Sequence, residues 1–401
     1  MTRPDHARDP VPAGDRRAVR VTHVITGLAR GGAEIMLLRL LGAMDRARFA
    51  PEVVSLRGPG VIGPRIAALG IPVHDAGLSG GLPRPSDLRR LTGLVRRARP
   101  DLVHTWMYHA DLFGGLAARL GCGIPVIWAL HNSTLDPRQV KLATRATVRL
   151  NALLSRWLPS RIVSCSETAA ALHRDLGYAA DKLLVIPNGF DVGVFAPDPA
   201  ARAAVRAELG LADGTPLVGS FARFHPQKDH RTLCDAAGRV AAANPAVHFV
   251  LAGEGIEWTN ATLAGWIAAS GSRERFHLLG ERDDMPRLTA ALDLLVVSSS
   301  FGEAFPLVIG EAMASEVPCV ATDVGDARQM VGDTGRVVPP RDPAALAGAI
   351  GELLRLTPES RAGLGRRARD RVARELSLAA IAARYQSLYL DVLGETARRT
   401  S

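Results

Sequence analysis

Residues 19–34 read VRVTHVITGLARGGAE, and this stretch decides the class of fold. Its first half, VRVTHVIT, is β-branched and almost continuously apolar, as expected for a strand covered on both faces of a parallel sheet. The second half, GLARGGAE (27–34), follows directly and opens a helix. Gly31 and Gly32 allow a tight turn and a close backbone approach to a ligand, and the helix start behind them favours an anion. The spacing is not the GxGxxG of dinucleotide-binding folds, so a tight turn without a ligand remains the alternative.

The same alternation of strand and helix continues along the chain in two successive sets. The first set of predicted strands covers residues 19–26, 51–57, 101–106, 125–131, 161–166 and 182–188. Helical stretches lie between most of them, at 32–44, 85–99, 108–120, 137–157 and 167–176. The second set of predicted strands covers residues 216–222, 247–253, 276–280, 292–299, 317–323 and 335–340. Two such sets predict an α/β protein with two doubly wound parallel sheets, each binding ligands at the carboxyl ends of its strands.

The chain has 401 residues, which is too long for one ordinary hydrophobic core. We predict a disordered leader at 1–18, a first domain at 19–193, a second domain at 194–375 and a C-terminal helix at 376–395. The polar, proline-rich start has no apolar segment of the signal-peptide kind, and no run approaches the ~20 apolar residues that cross a bilayer. The four cysteines are far apart and form no CxxC pair. These features predict a cytoplasmic protein with reduced thiols.

The composition restricts the class of partner. Hydrophobic residues make up 47% and charged residues 22%, as in a globular protein. The net charge is 49 − 40 = +9, which suits a phosphorylated small molecule, an anionic membrane surface or nucleic acid. Aromatic residues are only 5%, which is poor material for stacking on bases, so no nucleic-acid partner is expected.

Two glutamates flank a proline in FGEAFPLVIGEAM (301–313). Pro306 favours a helix that begins at that residue, which leaves Glu303 in the preceding loop and Glu311 in the second turn. Free N–H groups at the helix start could hold a diphosphate, with the carboxylates accepting hydrogen bonds from sugar hydroxyls. In the alternative, Glu303 only favours the helix dipole and Glu311 lies on a solvated face. The residues alone leave both interpretations open.

Other polar side chains follow predicted strands. Arg223 and Lys228 lie in one loop, SFARFHPQKDH (220–230), where a guanidinium and an ammonium group would suit a diphosphate. Two solvated side chains are the alternative. His131 ends the strand VIWALHN (126–132), and its position allows either contact with a reacting group or a structural hydrogen bond.

A basic face is predicted on the helix at 137–157. Four residues at spacings of three, four and four share this face: Arg138, Lys141, Arg145 and Arg149. The face could contact an anionic lipid surface or a phosphate-bearing acceptor. Most of the leucines of this helix lie elsewhere on it, so a solvated face on a core-packed helix is the alternative.

The chain contains no Asp-x-Asp triplet, so a metal site that would hold a diphosphate has no obvious ligands. We expect no metal and no cofactor, with the positive charge supplied by Arg223, Lys228 and a helix dipole.

Taken in order, these motifs resemble family 4 of the retaining glycosyltransferases. The resemblance rests on GLARGGAE, the HN at 131–132, IPNGFD (186–191), ARFHPQKD and the paired glutamates, and it spans residues 19–395. It implies the GT-B fold, in which two Rossmann-like domains face each other across a cleft. It also implies transfer of a sugar from a nucleotide-diphosphate sugar to an acceptor hydroxyl, with retention of configuration.

The resemblance assigns roles to individual residues. Glu303 would bind hydroxyls of the transferred sugar, His131 would contact that sugar near its reacting carbon, and Glu311 would bind the ribose. Arg223 and Lys228 would neutralise the departing diphosphate. The remaining donor-binding positions would be Gly31 and Gly32 across the cleft, Leu279 and Gly280 at the base, and Ala304, Phe305, Pro306 and Leu307 at the helix start.

The sequence departs from the family pattern at four positions. Ala304 replaces a frequent glycine, Gly310 a frequent leucine, Asp326 the second glycine of a frequent pair, and Gln329 stands near a usual glutamate. These positions are expected near the sugar pocket, so the donor sugar stays open.

The acceptor stays open as well, with a lipid-linked saccharide or another glycan of polysaccharide or glycolipid synthesis as the expectation. The expected location is cytoplasmic, with peripheral contact at the inner face of the membrane. The alternatives are a catalytically silent protein that binds nucleotide sugars, and an epimerase or phosphorylase on the same fold.

Overall fold

The computed structural model describes residues 17–78, 84–133 and 140–400. Of the predicted leader, residues 1–16 lie outside the described residues, and so does Arg138 of the predicted basic face. Arg17 is described, and its guanidinium lies 2.6 Å from the carboxylate of Asp101.

The first parallel sheet contains seven strands. They are β1 (Val19–Ile25), β2 (Phe49–Ser55), β3 (Val73–Asp75), β4 (Leu102–Trp106), β5 (Val126–Leu130), β6 (Arg161–Ser164) and β7 (Leu183–Val185). Their order across the sheet is β3-β2-β1-β4-β5-β6-β7. The helices of this half are α1 (Gly32–Ala43), α2 (Gly63–Ala67), α3 (Pro85–Ala98), α4 (Tyr108–Arg119), α5 (Leu142–Leu154) and α6 (Glu167–Asp175).

The second parallel sheet contains six strands. They are β8 (Leu217–Phe221), β9 (His248–Ala252), β10 (Phe276–Leu278), β11 (Leu294–Val297), β12 (Cys319–Thr322) and β13 (Arg336–Val338), in the order β10-β9-β8-β11-β12-β13. The first helices of this half are α7 (Pro199–Glu208), α8 (His230–Ala243), α9 (Ala261–Ala269), α10 (Met285–Ala290) and α11 (Leu307–Ala314). They are followed by α12 (Ala327–Val331), α13 (Pro343–Arg355), α14 (Pro358–Glu375) and α15 (Leu378–Thr400).

Each sheet is covered by helices on both faces, which explains why its strands are almost continuously apolar. In the first half, one core contains side chains of α1, α2 and α15, and the other contains side chains of α3, α4 and α5. The second half repeats this arrangement with two further cores. The prediction of two doubly wound sheets is therefore confirmed.

The chain passes from the first half to the second and later returns, and the two crossing segments lie side by side. The N–H of Phe190 donates to the carbonyl of Leu376 at 2.9 Å, and the N–H of Leu378 donates back to the carbonyl of Phe190 at 2.8 Å. Beyond this point, α15 buries Tyr385 and Tyr389 in the core of the first half. The predicted limits at 193/194 and 375/376 lie near this crossing and stay predictions.

The structure differs from the sequence-based prediction in its details. The strand β3, with three residues, was not predicted because a segment this short carries no alternation signal. Most predicted strands extend one or two residues too far, and α15 continues to Thr400 where the prediction ended at 395. None of the described helices combines the length and the apolar character needed to span a membrane.

Candidate active site

The site lies where the carboxyl ends of the two sheets face each other. Gly31 caps the N-terminus of α1, which begins at Gly32, directly after β1. A Cβ placed on Gly32 would lie 3.9 Å from Cδ1 of Leu307, the first residue of α11 in the opposite half. The starts of two helices, one from each half, therefore face each other across the cleft.

Lys228 and Glu303 form the charged centre of the site. Nζ of Lys228 lies 2.5 Å from Oε1 of Glu303, and the hydroxyl of Ser299 donates to the same oxygen at 2.7 Å. Both charged side chains are largely buried. The loop that carries Lys228 is held in place because the hydroxyl of Ser298 donates to its carbonyl at 2.7 Å. A positive group and an acceptor carboxylate are thus fixed side by side.

The helix start at α11 differs from the prediction by one residue. Pro306 has a ψ of 103°, which is extended, so it caps the helix and α11 begins at Leu307. Glu303 stays in the loop and Glu311 in the second turn, as predicted. The N–H groups of Phe305, Leu307 and Val308 donate to no protein acceptor among the described residues. They are the unpaired donors that a helix start presents to an anion.

Glu311 is paired across the cleft. Its Oε1 accepts a hydrogen bond from the guanidinium of Arg39 at 2.5 Å, and Arg39 comes from α1 of the first half. The same guanidinium lies 5.7 Å from the ring centre of Phe195. Its other terminal nitrogen, Nη1, is buried and has no partner among the described residues. Arg39 therefore brings a spare hydrogen-bond donor to the carboxylate that is predicted to bind the ribose.

His131 lies at the end of β5, against the floor of the cleft. Its ring stacks on Trp106, with ring centres 5.1 Å apart and planes at 18°. Burial lowers the pKa of His131 to about 4, so the imidazole is neutral at neutral pH. Two residues on, the hydroxyl of Ser133 donates to the backbone carbonyl of Glu303. The loop after β5 thus touches the loop that carries the charged centre.

Arg223 and the pair Leu279–Gly280 lie at neighbouring strand ends. Arg223 is exposed in the loop after β8. Gly253 has a φ of +147°, and a Cβ there would lie 2.3 Å from the carbonyl oxygen of Ala222, so only glycine fits this close approach. The N–H of Gly253 also donates to the carbonyl of Gly280 at 2.7 Å. Gly253 therefore holds the loop of Arg223 next to the predicted base-binding segment.

Arg30 forms two further contacts between the halves. Arg30, in the glycine turn after β1, forms ion pairs with Glu281 and with Asp283, the latter at 3.1 Å. All three side chains are exposed, so the pairs contribute little to stability. They connect the glycine turn of the first half with the segment that follows Gly280 in the second half.

Asp326 connects the two halves in a different way. Its carboxylate accepts hydrogen bonds from the N–H groups of Glu167 and Thr168 at 2.8 and 3.0 Å, and from the Thr168 hydroxyl at 2.7 Å. It therefore caps α6 of the first half from the second half, where a negative charge at a helix N-terminus is favourable. Its own N–H donates to the carbonyl of Ala304 at 3.0 Å. This cap gives Asp326 a structural role at the boundary between the two halves.

We expect Asp326→Asn to weaken the closed arrangement of the two halves by about 2 kcal/mol, because hydrogen bonds to a charged acceptor are lost in a buried place. Small-angle scattering should show a larger radius of gyration, and the thermal midpoint should fall. Asp323→Asn is the matched control, since Asp323 lies on the same loop and its carboxylate pairs, within the described part of the chain, with the exposed Arg328 alone. Equal scattering curves for Asp326→Asn and the wild type would contradict the expectation.

Gly310 is also explained by packing. A Cβ at this position would lie 2.1 Å from Cζ of the Phe190 ring, which fills the space beside α11. The departures at Gly310 and Asp326 therefore have structural reasons at the boundary between the two halves. The expectation that they modify the sugar pocket is not needed to explain them.

The predicted basic face lies on α5 and just before it. Lys141 and Arg149 are exposed and Arg145 is half-buried. Leu142 and Leu153 of this helix are exposed as well, and so is Trp157 in the turn that follows it. The helix also packs on the core through Val148, Asn151 and Ala152, so both interpretations of the basic face stay open.

Sequence reasoning missed several residues of the site. Arg39 and Ser133 make contacts across the cleft, and no local pattern marks them. Asp326 was singled out only as a departure from the family pattern, and its contact with α6 was not predicted. Gly253 carried a detectable signal, because a glycine directly after a strand often marks a close backbone approach. Among the described residues, no three histidine, cysteine, aspartate or glutamate side chains lie together in a way that could hold a metal ion.

Comparison with known proteins identifies the class. The model "Glycosyltransferase Family 4" matches residues 30–194, and "Glycosyl transferases group 1" matches residues 215–356. The D-inositol 3-phosphate glycosyltransferase of Xylanimonas cellulosilytica is 30% identical over 88% of this chain and 84% of its own length. The UDP-Gal:alpha-D-GlcNAc-diphosphoundecaprenol alpha-1,3-galactosyltransferase of Escherichia coli is 28% identical over 58% of this chain and 60% of its own length.

The fold has solved counterparts. The crystal structure of the Anabaena protein Alr3699/HepE in complex with UDP matches with a TM-score of 0.82 at 24% identity, over 93% of this chain and 100% of that one. The two facing sheets and the cleft between them define a glycosyltransferase of the GT-B fold. Within that class, the chain belongs to glycosyltransferase family 4.

Proposed function

We propose that this glycosyltransferase moves a sugar from a nucleotide-diphosphate sugar to an acceptor hydroxyl, with retention of configuration and without a metal ion. The contact between Lys228 and Glu303 carries the proposal, because it lies beside the unpaired N–H groups at the start of α11. A diphosphate at this helix start would meet backbone donors and Lys228, while Glu303 accepts hydrogen bonds from the sugar. The Anabaena structures, which contain UDP or UDP-glucose, support a nucleotide-sugar donor.

The reaction requires one bond exchange at the anomeric carbon of the sugar. The bond from this carbon to the diphosphate breaks, and its electron pair stays on the diphosphate oxygen. In this scheme Lys228, Arg223 and the helix start stabilise the charge that develops there, which is the electrostatic contribution that usually dominates. The acceptor oxygen forms its bond on the face that the leaving group vacates, and its proton passes to a diphosphate oxygen.

His131 is neutral and stacked, so in this scheme it offers a hydrogen bond near the reacting carbon and does not act as a charged acid. Arg39 holds Glu311 towards the predicted ribose position. Its free Nη1 can donate to the same ligand.

The acceptor is proposed as a glycan or a lipid-linked saccharide of polysaccharide or glycolipid synthesis, used on the cytoplasmic side of the membrane. The name of the Escherichia coli relative specifies a diphosphoundecaprenol-linked acceptor, which supports the lipid-linked alternative. Such an acceptor requires peripheral contact with the membrane. Lys141, Arg145 and Arg149 lie on and just before the helix that follows the His131 loop, which suits that contact.

The experiment that tests the proposal combines a binding screen with product analysis. A nucleotide and nucleotide-sugar panel should raise the thermal midpoint for one base, since ligand binding stabilises by mass action. With the selected donor and candidate acceptors, nuclear magnetic resonance should show the donor's anomeric configuration in the product. An inverted product would reject retention, and loss of activity in EDTA with recovery on adding Mg²⁺ would reject metal independence. Donor binding without transfer to any acceptor would favour the catalytically silent alternative.

A further inference from the structure

Helix α5 exposes a stripe of large apolar side chains. We define the apolar stripe as Leu142, Leu150, Leu153 and Trp157, whose exposed fractions are 76%, 43%, 67% and 68%. The opposite side of the helix is buried in the first half through Val148, Asn151 and Ala152. The turn at the end of α5 continues through Trp157, whose N–H donates to the carbonyl of Leu154 at 3.0 Å. All four stripe residues therefore belong to one rigid surface.

Helical geometry places a row of arginines beside the stripe. We define the arginine row as Arg145, Arg149 and Arg156. At about 100° per residue, the apolar stripe covers an arc of about 80° and the arginine row an adjoining arc of about 40°. No acidic residue occurs from Val140 to Leu158. An apolar arc bordered by arginines, without compensating acids, is the pattern of a helix that lies in a membrane interface.

The end of the helix is fixed by Lys182. Its ammonium group donates to the carbonyl oxygens of Ser155, Arg156 and Pro159 at 3.3, 2.6 and 2.9 Å. Positive charge at a helix C-terminus is favourable, and these bonds hold the turn that presents Trp157. The exposed position of this tryptophan is consequently built into the fold.

The charges decide between two occupants of the surface. A second copy docked by two-fold symmetry with the two α5 helices antiparallel would set one arginine row near the other, and neither helix carries an acid to compensate. An anionic lipid surface would neutralise the row and accept the leucines at the boundary between headgroups and acyl chains, where tryptophan is also favoured. The chemistry therefore fits a membrane better than a second copy.

We propose that the apolar stripe and the arginine row form a docking surface for an anionic membrane. Since β5 and β6 are parallel neighbours and α5 connects them, α5 returns from the carboxyl-end edge of the sheet, which carries His131, towards the opposite edge. A docked molecule would hold the cleft next to the lipid headgroups, where a lipid-linked acceptor is presented. This delivery role rests on the proposed function, whereas membrane binding is measurable without any transfer reaction.

The test is vesicle co-sedimentation of the full chain, with vesicles of phosphatidylglycerol and phosphatidylcholine or of phosphatidylcholine alone. We expect the wild type to bind the anionic vesicles and to show a blue shift of tryptophan emission. Arg145→Gln/Arg149→Gln should lower the partition coefficient about fivefold for each arginine removed. Leu153→Gln/Trp157→Gln should lower it about tenfold or more and remove the blue shift. Val61→Gln/Arg239→Gln is the matched control, because it removes one exposed apolar side chain and one exposed arginine from other surfaces.

Wild-type protein that stays in solution with anionic vesicles would overturn the proposal, and so would unchanged binding of both surface variants. A concentration-dependent dimer in sedimentation velocity that Leu153→Gln/Trp157→Gln abolishes would assign the surface to a second copy instead. The nucleotide-induced thermal shift serves as the separate readout. Its retention in the surface variants shows that the donor site is intact, and its absence in the wild type would count against the proposed function alone.

Discussion

Replacement of Lys228 by alanine is expected to lower the turnover number about 10²- to 10³-fold, the usual cost of deleting one group that stabilises charge in the transition state. Lys228 lies against the carboxylate of Glu303 and beside the free N–H groups of α11, where the diphosphate would depart. The loss should appear mainly in kcat, because the charge on the leaving oxygen grows as the bond breaks. Initial rates with a saturating donor measure it.

Two comparisons separate catalysis from folding. Lys228→Ala leaves the carboxylate of Glu303 buried without its partner, so the thermal midpoint must be measured beside the rate, and Lys228→Ala/Glu303→Gln removes that charge. Arg231→Ala is the matched control, since it deletes an exposed positive residue close to Lys228 in the chain that faces solvent. Full turnover of a folded Lys228→Ala protein would remove Lys228 from the proposed mechanism.

Acidification should begin to destabilise the protein at pH values well above those at which ordinary carboxylates titrate. Burial lowers the pKa of His23 to about 3. It lowers the pKa of three further histidines to about 4: His131, His173 and His230. The pKa of His104 is also lowered well below the ordinary value of 6.5. Their pKa is lower in the folded than in the unfolded chain, so the unfolded chain binds more protons as the pH falls below 6.5. Each histidine then removes about 1.4 kcal/mol of folding free energy per pH unit, down to its folded pKa.

Chemical unfolding between pH 7.5 and pH 5 measures this effect, with tryptophan fluorescence and circular dichroism as separate probes because the two halves need not unfold together. Asp and Glu of the unfolded chain remain mostly ionised over this interval. Burial raises the pKa of Asp111 in the folded chain, so this carboxyl acts in the opposite direction and reduces the net loss of stability. His131→Phe keeps a ring against Trp106 and removes one titrating group, so the pH dependence should become shallower by about one proton. A midpoint that does not change with pH would show that these histidines are accessible to protons in the folded state.

Local signals in the sequence were sufficient to predict the fold and the positions of part of the candidate site. Pro306 divides Glu303 and Glu311 between a loop and a helix because its ring excludes the preceding residue from helical geometry. Strand ends located Lys228 and His131 because parallel strands bring their carboxyl ends to one edge of a sheet. The assignment of catalytic and donor-binding roles to these residues remains a prediction.

The other contacts of the site, and the exposed face of α5, depend on how segments distant in the sequence pack against each other. Arg39 and Glu311 are 272 residues apart, and Asp326 is 159 residues from Glu167, so no local pattern relates the partners. Helical periodicity separates the leucines of α5 from its arginines, but it does not specify which faces pack on the sheet. For that reason the exposed apolar stripe emerged only from the structure.

The contact between Phe190 and Gly310 restricts how this protein can exchange parts with its relatives. The ring belongs to the segment that enters the crossing and the glycine to a helix of the second half, so recombination near residue 194 would separate them. A hybrid that received a leucine at position 310 would force that side chain into the space of the ring. The two positions are thus inherited as a unit, and substitutions at one should be accompanied by substitutions at the other among its homologues.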